Sequence, residues 1–497
     1  MKSRTMKLLP LAVALAVTPM LALAQSAGST AIAGSSGETL MQAYQQALIN
    51  DPTLAQQVAS RNISDEGVVS SRASLLPSLS ASWSIGQSRT YGGGGSQATI
   101  QNGHVVQTSG NGGYSRGRGW SVTLNQTILD FSKYANLSAA KAQAASADAT
   151  YQANLQDLII RVATAYFNVL TARDDVAFNQ ANVDALKRQY DQAEQRFKVG
   201  LSAITAVQDS KANYESAQAQ LITAQNTLSD SREALTQITG HPVKNLEVLS
   251  DTLPMSPPTP NNLHTWVTQA KINNPNILAQ QFNVEAADHS VSAARDARLP
   301  TLDASLGYSG KGANWAENGP YKRTQAGSSI NLSVSVPIFS GGSTRAGIES
   351  AIYRRDSAQA ALIQQRRQVV RNTRNYFRSV SSGISQVEAA KQALLSSESA
   401  LKATQAGFLV GTETIVDVLL AQQTLMSSRQ QYSQARHNFI LNKLLLEQAA
   451  GTLSVDDLKH VSALLEPASD VQDKLLPAGG NAAAQGTNAS PSPASAG

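Results

Sequence analysis

The sequence predicts a mainly α-helical chain with a β-barrel part, built by internal duplication. Three observations carry that expectation: ordered motif matches between the halves, paired segments of strict two-residue apolar alternation, and proline-free helical patterns of matched length. The matches recur at an offset of about 210 to 223 residues. Asn50-Asp51-Pro52 aligns with Asn273-Asn274-Pro275, and Leu76-Pro77-Ser78-Leu79 with Leu299-Pro300-Thr301-Leu302. Ala165-Tyr166-Phe167 aligns with Asn375-Tyr376-Phe377, Phe197-Lys198-Val199-Gly200 with Phe408-Leu409-Val410-Gly411, and Thr239-Gly240 with Ala450-Gly451.

In chain order, residues 1–24 read as a secretory signal. Lys2, Arg4 and Lys7 precede the apolar run Leu8 to Val17, and Ala22-Leu23-Ala24 precedes Gln25. That run is too short to span a bilayer, and no later segment offers the roughly 18 apolar residues a spanning helix needs, so membrane insertion must use strands. Residues 25–37 form an N-terminal extension to the mature chain. The first repeat, residues 38–240, is expected to run helix, two strands, long helix, helix; residues 262–451 repeat it.

Each repeat opens with a helix, about 38–74 and 262–298, ended at Leu-Pro because proline disfavours helix in the residue before it. Two strands follow. Leu79, Ala81, Trp83 and Ile85 alternate with serines, and Trp120, Val122 and Leu124 alternate with Ser121, Thr123 and Asn125. The second repeat shows Leu302, Ala304, Leu306 and Tyr308, then Ile330, Leu332, Val334 and Val336. Period 2 with small polar partners predicts one apolar and one wet face, the pattern of barrel strands between lipid and water. The segments 86–119 and 310–329, rich in Gly, Ser, Asn and Gln, read as solvated loops; neither carries a phosphate-binding glycine motif.

Helical patterns without proline then run over about 132–198 and 342–409, on the order of 100 Å each at 1.5 Å per residue. Returning helices at about 203–239 and 414–450 end at Gly240 and Gly451. Two shorter helices stacked end to end match one long helix, which predicts a two-helix-thick column. Four strands cannot close a barrel, so partner chains are required. Residues 241–261, with Pro254, Pro257, Pro258 and Pro260, link the halves and are expected at the middle of the column, together with residues 452–475. The tail, 476–497, is rich in small and polar residues and reads as disordered.

Composition excludes several function classes. The 497 residues contain no cysteine, so disulfides and thiolate metal sites are ruled out. The net charge of +5 is spread among mixed charges, and nucleic acid is not expected as a partner. The six histidines show no ligand spacing, no nucleophile elbow occurs, and Asp174-Asp175 reads as a solvated pair. No metal or cofactor is expected, and an envelope enzyme finds no catalytic set. The competing architecture is a trimeric coiled-coil surface stalk, an adhesin on a small barrel anchor; it would keep its helices in one block beside a single strand cluster.

From about Glu38 to Leu465 the chain resembles the TolC family of outer-membrane efflux proteins. The residues that carry the likeness are Leu40-Met41-Gln42-Ala43-Tyr44-Gln45-Gln46-Ala47, Thr164-Ala165-Tyr166-Phe167-Asn168-Val169-Leu170, Arg196 to Leu201, and Val410 to Leu419. The resemblance implies a homotrimer with one 12-stranded barrel, four strands per chain, in outer-membrane lipid, continued by an α-helical tunnel across the periplasm. It implies a passive exit duct for small molecules or proteins that meets a periplasmic adaptor and an inner-membrane pump or ABC exporter.

The turns Val199-Gly200-Leu201 and Val410-Gly411-Thr412 lie farthest from the strands. Glycine there serves a tight helical turn; the resemblance implies in addition that these tips dock the adaptor. Asp417 stands in the first turns of the returning helix. A lone Asp near a helix start is commonly dipole-stabilised, but a cyclic assembly would repeat it around the axis, and an acidic ring is a selectivity device. The resemblance places an aspartate ring and a closing network at this entrance. Asp417 matches the first ring member, whereas Leu420 replaces the second. Thr205 and Gln189 match the network, while Phe408, Glu413 and Ala206 replace its usual Tyr, Arg and Asp. Glu413 and Asp417 together are expected to form the constriction, in the second repeat alone.

Overall fold

The computed structural model describes residues 37–89, 97–101, 104–108, 114–243, 245–250, 253–312 and 325–467. The signal, residues 25–36 of the extension and the 476–497 tail lie outside the described residues. The first repeat comprises α1 (Leu40–Asn50), α2 (Pro52–Ala73), β1 (Ser78–Arg89), β2 (Gln97–Gln101), β3 (His104–Thr108), β4 (Tyr114–Leu129), α3 (Phe131–Lys198) and α4 (Ile204–Thr239). After β5 (Val248–Leu249), the second repeat supplies α5 (Leu263–Asn273), α6 (Pro275–Asp296), β6 (Thr301–Gly312), β7 (Gln325–Ser335), α7 (Ser343–Val410) and α8 (Ile415–Ala450). The described part ends with α9 (Val455–Ser462) and β8 (Leu465–Glu466). No described helix is long and apolar enough to cross a membrane.

The opening helix of each repeat is two helices rather than one, which corrects the sequence expectation. Asp51 (φ −68°, ψ 115°) and Asn274 (φ −66°, ψ 119°) adopt the extended backbone that a following proline enforces. Each ends one helix and caps the next, where Pro52 and Pro275 sit at the first helical position. The long helices need no such correction: α3 and α7 each have 68 residues, and α4 and α8 each have 36.

The end-to-end stacking is pinned at the proline break in both repeats, by neighbouring rather than equivalent residues. Asn50 Nδ2 donates to the carbonyl of Thr239 at 2.8 Å, and Asn274 Nδ2 donates to that of Ala449 at 3.0 Å. Gly240 and Gly451 cap α4 and α8 at φ +76°. A Cβ on Gly240 would sit 2.8 Å from the Asn50 Cβ, and one on Gly451 would sit 2.6 Å from the Asn273 backbone. Glycine is therefore required twice over, by φ and by the neighbouring helix end.

The largest core lies at this midline. Leu158, Val162, Tyr166, Phe167 and Leu170 of α3 bury against Leu40, Ala43 and Ala47 of α1, Val248 and Leu249 of β5, and Leu458 and Val461 of α9. The Tyr166 hydroxyl reaches the carbonyls of Glu38 (3.1 Å) and Glu247 (3.0 Å). β5 pairs antiparallel with β8, and Glu38 bridges Leu246, so both segments outside the repeats contribute to this midsection.

One sheet takes two strands from each repeat, in the order β1-β4-β6-β7, all antiparallel. Its register lines up the apolar positions across all four strands. Leu79, Ala81 and Trp83 sit opposite Leu124, Val122 and Trp120; Val122 and Leu124 oppose Tyr308 and Leu306; Ala304 and Leu306 oppose Leu332 and Ile330. The alternate positions are Ser78, Ser80 and Ser82 against Asn125, Thr123 and Ser121, continuing through Ser305 to Asn331. One face is thus apolar and the other polar, as the two-residue period dictates. On the apolar face Trp120 packs on Tyr308 with ring centroids 5.3 Å apart, and Gly310 leaves room for the indole, which a Cβ there would meet at 2.5 Å.

The expectation of a plain loop at 86–119 is also corrected. β1 continues to Arg89, β4 begins at Tyr114, and β2 and β3 form a hairpin with Thr99 opposite Val106 and Ile100 opposite Val105. β-branched residues at these positions favour the extended chain. In the second repeat β6 runs to Gly312 and β7 starts at Gln325, so both strands extend into the segment expected as loop, and residues 313–324 lie outside the described residues.

Candidate gate and docking tips

Both turns at the strand-distal end are built alike. After α3, Gly200 takes φ +77° and the Leu201 N–H donates to the Arg196 carbonyl at 2.8 Å. After α7, Gly411 takes φ +85° and the Thr412 N–H donates to the Gly407 carbonyl at 2.9 Å. No heavy atom lies within 4 Å of a Cβ built on either glycine, so backbone conformation alone demands glycine here. The flanking side chains point outward: Val199 is 67%, Leu201 74% and Val410 77% exposed. Three exposed apolar side chains on two adjacent tips form a surface suited to a partner.

The helices that return from these turns start differently. α8 opens with a reciprocal cap: Thr414 Oγ1 accepts from the Asp417 N–H at 3.3 Å, and Asp417 Oδ2 accepts from the Thr414 N–H at 2.9 Å. α4 opens at Ala203, which has no side chain to cap with, and Ala206 stands where Asp417 does. The hydrogen bonds from Thr414 hold the Asp417 carboxyl below the usual carboxylate range, with a smaller contribution from Glu413. Asp417 is therefore ionised at neutral pH. The Glu413 side chain folds back over the last turn of α7, where a Cβ on Gly407 would meet its Cγ at 2.6 Å. Glu413 and Asp417 are thus brought together at one tip.

Gln189 and Phe408 also meet. With Ala185, Arg188, Gln192, Gln405, Leu409, Ile415 and Val418 they line a cavity of about 310 Å³ between α3 and the second-repeat tip. Gln189 is buried, and Phe408 packs against the Leu401, Val418 and Leu425 cluster. Thr205 is exposed on the first turn of α4 and does not line this cavity. Leu420 is exposed as well.

Sequence reasoning missed two participants. Arg196 places its guanidinium 4.9 Å from the centre of the Phe408 ring, a cation–π contact across the repeats. Thr414 was legible in principle, since Thr-x-x-Asp before an apolar run is a capping signature. A third reading needs correction: Asp174 is not a solvated carboxylate but accepts from Ser433 Oγ in the α3–α8 joint. Burial pushes its carboxyl up, and Ser433 opposes that.

Comparison with known proteins places these features in a family. Residues 43–241 and 266–452 match the family model described as outer membrane efflux protein. The outer membrane protein TolC of Escherichia coli is 36% identical over 95% of this chain and 92% of its own length. The alkaline protease secretion protein AprF of Pseudomonas aeruginosa is 26% identical over 85% of this chain and 86% of its own. The Campylobacter jejuni CmeC outer membrane channel superposes with a TM-score of 0.69 at 17% identity, covering 86% of this chain and 90% of that one. These relatives are named as outer-membrane and secretion proteins and not as enzymes. The two-faced sheet, the matched helices and these likenesses together establish that the chain belongs to the outer membrane efflux protein family, an outer-membrane protein with the TolC fold.

Proposed function

We propose that three copies of this chain form a passive exit duct, with twelve strands closed into one barrel and the helical columns closed into a tunnel. The observation that carries this reading is the four-stranded sheet, apolar on one face and polar on the other, with β1 and β7 left as open edges. Such a sheet buries neither face within its own chain. Closing β7 of one copy on β1 of the next removes the edges, turns the apolar face to lipid and encloses the polar face around water. The count of three comes from the family. Strands drawn from both repeats into one sheet also argue against an adhesin stalk, which would carry one strand cluster.

In this reading the tips at Val199-Gly200-Leu201 and Val410-Gly411-Thr412 receive a periplasmic adaptor, which couples the duct to an inner-membrane pump or ABC exporter. Cargo, small molecules or proteins, enters between the tips. Asp417 and Glu413, repeated around the axis, form the acidic constriction, and Gln189, Phe408 and Thr205 belong to the network that closes it. Because Asp417 is ionised, the ring favours cations and is blocked by divalent ions. Recording purified Asp417→Asn in planar bilayers tests this assignment: cation preference falls and divalent block weakens, whereas unchanged selectivity and block would refute it.

A further inference from the structure

Because the chain is duplicated, one groove serves as the control for another. In the second repeat a groove of about 600 Å³ between α5 and α7 is walled by Lys271, Arg366, Arg367, Arg371, Arg374 and Arg378. No carboxylate lines it. All six cations are exposed, and among the described residues none of their side chains enters an ion pair or a hydrogen bond. In the first repeat Ile160, Arg161, Thr164 and Asn168, at the places of Val370, Arg371, Arg374 and Arg378, line the equivalent groove. That groove is charge-balanced. Asp51 and Asp230 also line it, and Arg161 is held by Asp51 at 2.6 Å and by Asp157 at 3.1 Å. Neither acid that holds Arg161 has an acidic counterpart: Asn274 stands for Asp51 and Arg367 for Asp157. The Asn274 side chain is committed to the Ala449 carbonyl and the Asn276 N–H. Since the first repeat builds the same column without this charge, and like charges so close repel, the scaffold does not account for the row of arginines.

Size, depth and lining define the ligand. Arg367, Arg371, Arg374 and Arg378 follow one another at four-, three- and four-residue steps, so they share one face of α7 over about 16 Å. A single phosphate or carboxylate meets one or two guanidinium groups and leaves the others unpaired, so the row suits an anion with several charges in line. Membrane lipid is excluded by depth, because Arg366 lies about 35 Å along α7 from Ser343 at its strand-side end. No aromatic side chain lines the groove for a nucleic-acid base to stack on. Ile363 and Val370 lie among the cations and offer apolar contact, which the side-chain methylenes of a peptide use and an inorganic polyanion does not. An extended peptide rises about 3.3 Å per residue, so acids at every second position recur about 6.6 Å apart, close to the roughly 4.5 to 6 Å steps between these arginines.

We infer that this groove binds an extended acidic segment of a separate polypeptide, with carboxylates at alternate positions paired to Arg367, Arg371, Arg374 and Arg378. The probe is a fluorescein-labelled peptide of alternating Glu and Val, followed by anisotropy against the purified full-chain protein in detergent at low salt. Binding is expected, weaker as salt rises, with none by the same peptide carrying Gln in place of Glu. Arg374→Thr combined with Arg378→Asn installs the residues that α3 carries in the equivalent places. It should weaken binding roughly tenfold or more, the loss expected when charge-assisted hydrogen bonds are removed. Arg72→Gln combined with Lys141→Gln removes two exposed cations elsewhere and should leave binding unchanged. Equal losses in the two double variants would mean attraction to net charge alone and overturn the site, as would absence of binding. Inorganic tripolyphosphate binding as tightly as the peptide would overturn the polypeptide assignment. Tighter peptide binding after deletion of residues 468–497, which include Asp470 and Asp473, would identify the chain's own tail as the occupant and overturn a separate partner.

Discussion

Asp51 ends α1, caps α2 through the Leu54 N–H at 2.9 Å, and holds the Arg161 guanidinium of α3 at 2.6 Å. Burial pushes its carboxyl up, but the Arg161 and backbone hydrogen bonds outweigh that and leave its pKa below the usual range. Removing it leaves Arg161 with Asp157 alone, at 3.1 Å, and uncaps a helix, so Asp51→Ala should cost about 2 kcal/mol in chemical denaturation. His437 shows the opposite balance. Burial in the α3–α8 joint, with Arg436 beside it, depresses its pKa from 6.5 to about 3. The folded chain therefore keeps it neutral while the unfolded chain takes up a proton, and stability is present above pH 6.5 and lost as pH falls toward 3. His437→Asn should flatten the decline of the melting temperature between pH 6.5 and 4. Neither role was fully legible beforehand. Asn50-Asp51-Pro52 was visible as a repeat signature, yet apolar periodicity continues on both sides of it and concealed the break. His437 acquires its role from Thr171, 266 residues away, and no local pattern encodes that contact.

At the scale of elements, the long helices and the barrel strands could be read directly, because their signals are local and sustained. The absence of proline through α3 and α7 and the glycines at 240 and 451 mark helix extent, and the strict alternation marks sheet faces. The β2–β3 hairpin escaped because its short strands are surrounded by glycine and polar residues. The alternation also makes a sharp distinction between neighbours in one strand. Leu332 lies on the apolar face and Ser333 on the polar one. A lysine at 332 would meet lipid, at a cost of roughly 2–4 kcal/mol near the bilayer midplane, while a lysine at 333 would face water. Folding titrations into liposomes should show Leu332→Lys strongly destabilised and Ser333→Lys close to wild type; equal effects would mean that the faces are assigned wrongly.

For the whole molecule, duplication explains both the likeness and the difference between the halves. The scaffold is held in common, from the proline-broken opening helices to the glycine caps at Gly240 and Gly451, because staves of one column must share a height. The tips diverge: the Thr414–Asp417 cap and Glu413 belong to the second repeat, and Ala203 and Ala206 stand in the first. How those tips meet around an axis was not legible, since it depends on contacts between copies, and the position of Asp417 was legible only through its family motif. A stave with two open sheet edges is incomplete without further copies of the chain. Native mass spectrometry of the particle extracted from outer membranes tests it most directly: three copies of the processed chain are expected, and a particle of one, two or four copies would contradict it.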